Sequence, residues 1–156
     1  MSFTYRTDLA EVRTLVHKHA RDAGLTDSRA DDLVLAVSEV AANTLRHTQS
    51  PGVLSIWHDD DEIVCEVRDK GIIADPLVGN HRPPPGADGG HGLWLVRQVC
   101  DLVELRSGSD GTTIRMHMAL RDGRADTLAV RGRGEQARRL PNSCGRTRVW
   151  TCSLRP

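Results

Sequence analysis

Glu39 and Asn43 stand four residues apart, so on a helix they project from one side and offer a carboxylate and an amide to the same ligand. A carboxylate can take a proton from a hydroxyl or water, and an amide oxygen is a hard ligand suited to Mg²⁺ already held by phosphates. On an exposed helix face the same pair is also read as ordinary solvated residues. Asp69-Lys70-Gly71 follows a strand-like segment. There a carboxylate can accept a hydrogen bond from an exocyclic amine, and a glycine two residues on lets a flat ring approach the backbone; a plain strand-to-turn exit is the competing explanation. Gly89-Gly90-His91-Gly92 precedes a short helical pattern, where free backbone N–H groups and the helix dipole could cradle a phosphate. That run lacks the Lys-Ser/Thr of a Walker A loop, and a flexible hinge would also use those glycines.

These groups need elements to position them. Leu9, Val12, Leu15, Val16 and Ala20 recur at three and four between Asp8 and Ala23, before Gly24, which predicts an amphipathic helix. A longer helix is predicted after the capping residues Thr26-Asp27-Ser28, through Ala30, Leu33, Val34, Val37, Val40, Ala41, Thr44 and Leu45 to about His47. Glu39 and Asn43 then lie roughly opposite the stripe centred on Val37 and Thr44. Alternation over Val53–His58 and Ile63–Asp69, joined by an acidic turn, predicts a hairpin. Residues 70–90 carry four prolines and five glycines and read as a long loop, a length uncommon unless functional or disordered. A short helix from Leu93 to Cys100 precedes a second hairpin, Leu102–Ser107 and Thr112–Leu120, with Ile114, Met116, Met118 and Leu120 on one face. The order α-α-β-β-α-β-β predicts an α+β fold, a two-layer sandwich whose mixed, mostly antiparallel sheet is covered on one face by helices.

The 156 residues, 38% hydrophobic, suffice for one core. No apolar run approaches the ~18 residues needed to span a bilayer, and the first residues lack the apolar stretch of a secretory signal, so a cytoplasmic protein is expected. Cys65, Cys100, Cys144 and Cys152 form no C-x-x-C pair and read as free thiols. The net charge of zero hides an asymmetry: residues 1–120 carry 12 basic and 18 acidic side chains, residues 121–156 nine and three. The domain is therefore placed at 1–120, with 121–156 an Arg-rich tail expected to be poorly ordered and able to dock on the acidic body. His17 and His19 are two apart, so on a helix they diverge and do not chelate one ion. Aromatic residues at 3% leave little to stack on RNA, and direct nucleic-acid binding is not expected.

Taken together and in order, Glu39-Val40-Ala41-Ala42-Asn43, Asp69-Lys70-Gly71, Gly90-His91-Gly92-Leu93 and Gly111-Thr112-Thr113 resemble the N, G1, G2 and G3 boxes of the GHKL ATPase superfamily. The likeness is strongest to the bacterial anti-sigma regulatory factors of the Ser/Thr kinase branch, and it covers about residues 5–120. The resemblance implies the Bergerat ATP-binding fold, with ATP and Mg²⁺ as cofactors. It implies that Glu39 is the general base towards a Ser or Thr hydroxyl of a partner, that Asn43 holds Mg²⁺, and that Asp69 and Gly71 bind adenine. Gly90, Gly92 and Leu93 would belong to the phosphate lid, and Thr113 would support the adenine side. The implied partners are a sigma factor and an anti-anti-sigma protein of the STAS type, with a homodimer as a further assembly. Two departures stand out: Ile73 occupies the second glycine of the D-x-G-x-G pattern, predicting a stiffer hinge, and His91 replaces an arginine of the lid, a weaker and pH-dependent cation. A nucleotide-sensing module without phosphoryl transfer, and the detached catalytic half of a sensor histidine kinase, are the alternatives.

Overall fold

A computed structural model describes residues 1–5, 9–48, 50–75, 77–84, 91–120 and the backbone of 146–149. The elements run β1 (Ser2–Tyr5), α1 (Leu9–Asp22), α2 (Asp27–His47), β2 (Gly52–His58), β3 (Glu62–Asp69), α3 (His91–Val99), β4 (Leu102–Gly108), β5 (Gly111–Ala119) and β6 (Arg146–Val149). The sheet order is β1-β2-β3-β5-β4-β6. The first five strands pair antiparallel, and β6 lies parallel to β4. The α+β sandwich expected from the sequence is therefore present.

Each helix forms where the apolar period meets a stop. In α2, Thr26 takes extended backbone and its side chain accepts from the Arg29 N–H, while at the other end the Thr48 N–H closes on the Thr44 carbonyl at 2.9 Å. Its buried stripe, Ala30, Leu33, Val37, Val40, Ala41 and Thr44, packs over the sheet between α1 and α3. The core joins Val12 and Val16 of α1 and Val96 of α3 to Leu54, Cys65, Val67, Leu105 and Met116 of the strands. Leu33, Leu54 and Met116 are fully buried, each removal from water contributing on the order of 2 kcal/mol.

Two strands lie outside the predicted order. β1 alternates polar and apolar side chains over four residues only, too short a run to show a period. Its register, Phe3 against Leu54 and Tyr5 against Gly52, is supplied by β2. β6 lies within the Arg-rich tail, whose other residues are outside the described ones, as are Asp8, Gly89 and Gly90.

The face of the sheet away from the helices carries charge. Glu66, 2% exposed, accepts from Arg115 at 2.5 Å and from Arg68 at 2.6 Å, and His117 lies 3.1 Å from Glu62. No helix among the described residues is long and apolar enough to cross a membrane.

Candidate functional site

Where α2, the end of β3 and the start of α3 converge, they enclose a cleft of about 730 Å³, within the range of sites that take a nucleotide-sized ligand. Its floor holds Thr44, Asp69 and Thr112, its apolar walls come from Val40, Ile73, Val78, Leu93 and Ile114, and its mouth carries Glu39, Asn43, Arg46, His47 and His91.

The floor is a hydrogen-bonded unit. Asp69 Oδ1 accepts the Gly71 N–H at 2.8 Å, and Oδ2 accepts the Thr44 hydroxyl at 2.6 Å. Donors on both oxygens fix the plane of the carboxylate. Beside it a second chain runs in one direction. The Ile73 N–H donates to Ser107 Oγ at 2.8 Å, Ser107 meets Thr112 Oγ1 at 2.8 Å, and Thr112 donates to the Gly71 carbonyl at 2.8 Å. The loop leaving β3 is thereby tied to the β4–β5 hairpin. The hairpin itself comes close because Gly111 turns at φ +119°, and a Cβ there would fall 2.1 Å from the Asp69 carbonyl oxygen, a combination only glycine accepts.

At the mouth, Glu39 and Asn43 share one turn of α2. Gly92, in the first turn of α3, packs against both, since a Cβ on it would lie 2.9 Å from Glu39 Oε2 and 3.4 Å from Asn43 Nδ2. Arg46 Nη1 reaches Asn43 Oδ1 at 3.4 Å. Arg97 of α3, 7% exposed, directs its guanidinium to the carbonyl of Val78, a residue of the cleft wall, and so docks residues 77–80 on α3. Burial pulls the Arg97 pKa below its ordinary value.

A carboxylate with apolar walls at one end, and basic side chains beside a helix N-terminus at the other, suit a ligand with an amine-bearing flat ring and an anionic tail. The donor set thus fits ATP, with Asn43 the amide oxygen available to a phosphate-bound Mg²⁺.

The model of the histidine kinase-like ATPase domain matches residues 2–118. The chain belongs to that family. It is also similar to the protein named Serine-protein kinase RsbW of Bacillus velezensis, with 29% identity over 129 residues, which cover 74% of this chain and 80% of the relative.

Set against this ATPase-type domain, the residues singled out in the sequence divide clearly. The structure brings Glu39, Asn43, Asp69, Gly71, Gly92 and Leu93 into one cleft. Gly90 lies outside the described residues. Thr113 is not brought in and requires correction: it pairs with Arg68 and Arg106 on the opposite face, and Thr112 lines the cleft instead. Strand parity is the reason. Ile114, Met116 and Met118 face the core, so Thr112 shares their side and Thr113 cannot; the same alternation in the sequence carried that information. Sequence reasoning also missed Thr44 as a site residue, because its place in the apolar stripe of α2 reads as core. Ser107 had no signal, as its contacts run to the loop after β3 and across to β5.

Proposed function

We propose that this chain is an ATP- and Mg²⁺-dependent anti-sigma regulatory factor of the cytoplasm, with Ser/Thr protein kinase activity towards an anti-anti-sigma partner of the STAS type. The same body would sequester a sigma factor, alone or as a homodimer. The observation that carries the reading is the convergence of Glu39 and Asn43 from α2 and Asp69 from the end of β3 on one cleft. Likeness to a protein named a serine-protein kinase supports it.

When bound, ATP supplies the phosphoryl group and Mg²⁺ neutralises phosphate charge. The chain's own residues select, align and remove a proton. Asp69 accepts the amine of the base, its two oxygens being held by Gly71 and Thr44. Asn43 presents its amide oxygen at the mouth, and Gly92 and Leu93 at the start of α3 close on the phosphate end. Glu39, beside them, takes the proton of the partner's hydroxyl. Phosphoryl transfer relies on positioning and charge stabilisation more than on covalent chemistry, so this set is sufficient.

The test is transfer of labelled γ-phosphate to a STAS-type partner by the protein and by Glu39→Gln. Loss of the base should slow transfer by roughly 10²- to 10⁴-fold while ATP still binds. Transfer at the unaltered rate would remove Glu39 from the mechanism.

A further inference from the structure

Residues 77–82 lie in the proline- and glycine-rich stretch between β3 and α3, yet they are tied to α3 at three places. Both Nε and Nη2 of Arg97 donate to the Val78 carbonyl, at 3.4 and 3.3 Å. Gly79 takes φ +78°, and a Cβ on it would fall 2.7 Å from the Leu93 carbonyl carbon, a conformation and an approach that favour glycine. The Arg82 guanidinium lies 5.5 Å from the centroid of the Trp94 ring, within cation–π range. Leu93, Trp94 and Arg97 stand at helical spacing in α3, so the anchors share one side of it. At its start the segment is turned by Asp75, whose Oδ1 accepts the Leu77 N–H at 2.9 Å and whose carbonyl accepts the Val78 N–H at 3.2 Å.

We propose that Arg97 is a positioning residue for the base end of the cleft, holding Val78 by its carbonyl so that the side chain stands as a preformed wall for the flat ring. The inference rests on reading the cleft as an ATP site. Val78 lines that cleft together with Leu93, and both of its backbone polar groups are engaged, the N–H by Asp75 and the carbonyl by Arg97. With both held, the direction of its Cβ is held too. Arg97 itself is not among the residues that line the cleft, so it acts through Val78. It is 7% exposed, and burial lowers its pKa; a cation there carries a desolvation penalty that an apolar side chain would avoid. What the guanidinium supplies is direction, since two N–H groups converge on one oxygen. A wall already ordered in the free protein need not be ordered when the ligand arrives, and affinity is higher by that difference.

The experiment titrates the protein, Arg97→Lys, Arg97→Met, Val78→Ala and the Arg97→Met/Val78→Ala pair with ATP in Mg²⁺, and follows amide exchange and thermal unfolding without nucleotide. Methionine keeps an apolar stem and removes the donors. Arg97→Met should weaken ATP binding by about tenfold, the worth of a hydrogen bond from a charged donor. It should also speed amide exchange in residues 77–82 while β3 and β5 stay protected. Arg97→Lys, which keeps a charged donor, should recover part of the affinity. Val78→Ala should weaken binding as well, and Arg97→Met should then add little. Should Arg97→Met fail to fold, Gly79→Ala lifts the same segment from Leu93 and should give the same pair of effects. Equal ATP affinity in Arg97→Met, a loss that persists in full beside Val78→Ala, or exchange that rises throughout the sheet would each overturn the role of Arg97 and leave the ATP reading in place. Failure of the unaltered protein to bind ATP would overturn that reading and this inference with it.

Discussion

Gly92 faces the Glu39 carboxylate so closely that a Cβ at that position would sit 2.9 Å from Oε2. The first turn of α3 and the middle of α2 therefore touch through backbone on one side and the proposed base on the other. Glu39 Oε2 is the far end of a flexible side chain, so Gly92→Ala should shift the carboxylate by a few tenths of an ångström and leave the fold in place. The expected result is stability within about 0.5 kcal/mol of the unaltered protein, or slightly higher because alanine suits a helix. Phosphoryl transfer should fall by roughly 10- to 100-fold, since catalysis is sensitive to small misplacement. Melting curves and transfer rates measured together decide it; transfer at the original rate would show that the contact is idle.

The hinge after β3 gives a second expectation. Ile73 replaces a glycine of the family pattern, and no non-glycine residue among the described ones has positive φ. The loop instead uses ordinary backbone and hands the Ile73 N–H to Ser107. Ser107→Ala would orphan that donor and leave Thr112 without its Ser107 partner, at a cost of about 1–3 kcal/mol in stability. ATP affinity should also weaken, because the loop carries Gly71. Chemical denaturation and an ATP titration check both, and a variant indistinguishable in each would show that the loop does not depend on Ser107.

Much of this was legible in the sequence, for identifiable reasons. Glu39, Asn43, Asp69 and Gly71 sit at ends or faces of strongly periodic elements, so their placement follows from helix and strand geometry. Thr113 went wrong by one residue, where a period of two turns one step into the opposite face. Thr44 was hidden by doing two jobs: its methyl belongs to the stripe of α2, while its hydroxyl serves Asp69. Ser107 acts through Ile73, 34 residues away, and no local pattern announces such a contact.

Alkaline pH supplies a third expectation. Cys65 and Cys100 are free and buried. Burial pushes the Cys65 thiol above its ordinary range, with Cys100 nearby adding to it. Cys100 is pushed up to about 12, by burial first and then by the charge of Asp101. A raised pKa in the folded state means that the folded chain holds its proton after the unfolded chain has lost it. The associated stability is fully present below about pH 8.5, the ordinary thiol value, and is lost as pH rises towards about 12 and beyond. Denaturation midpoints followed from about pH 8 to about pH 11, the window that this linkage opens, should therefore fall, and fall less steeply in Cys65→Ala/Cys100→Ala. Equal slopes would show that the thiols do not couple to alkaline unfolding.

The most direct measurement is a calorimetric titration of the protein with ATP in Mg²⁺, repeated with Asp69→Asn. The substituted amide would turn its NH₂ towards one of the two donors now held by the carboxylate, the Gly71 N–H or the Thr44 O–H, and would lose the charge that attracts the amine of adenine. Saturable binding at one site per chain is expected, weakened at least about tenfold by Asp69→Asn, as the loss of a hydrogen bond to a charged group implies. No saturable binding by the unaltered protein, or equal affinity in Asp69→Asn, would contradict an ATP site built on Asp69.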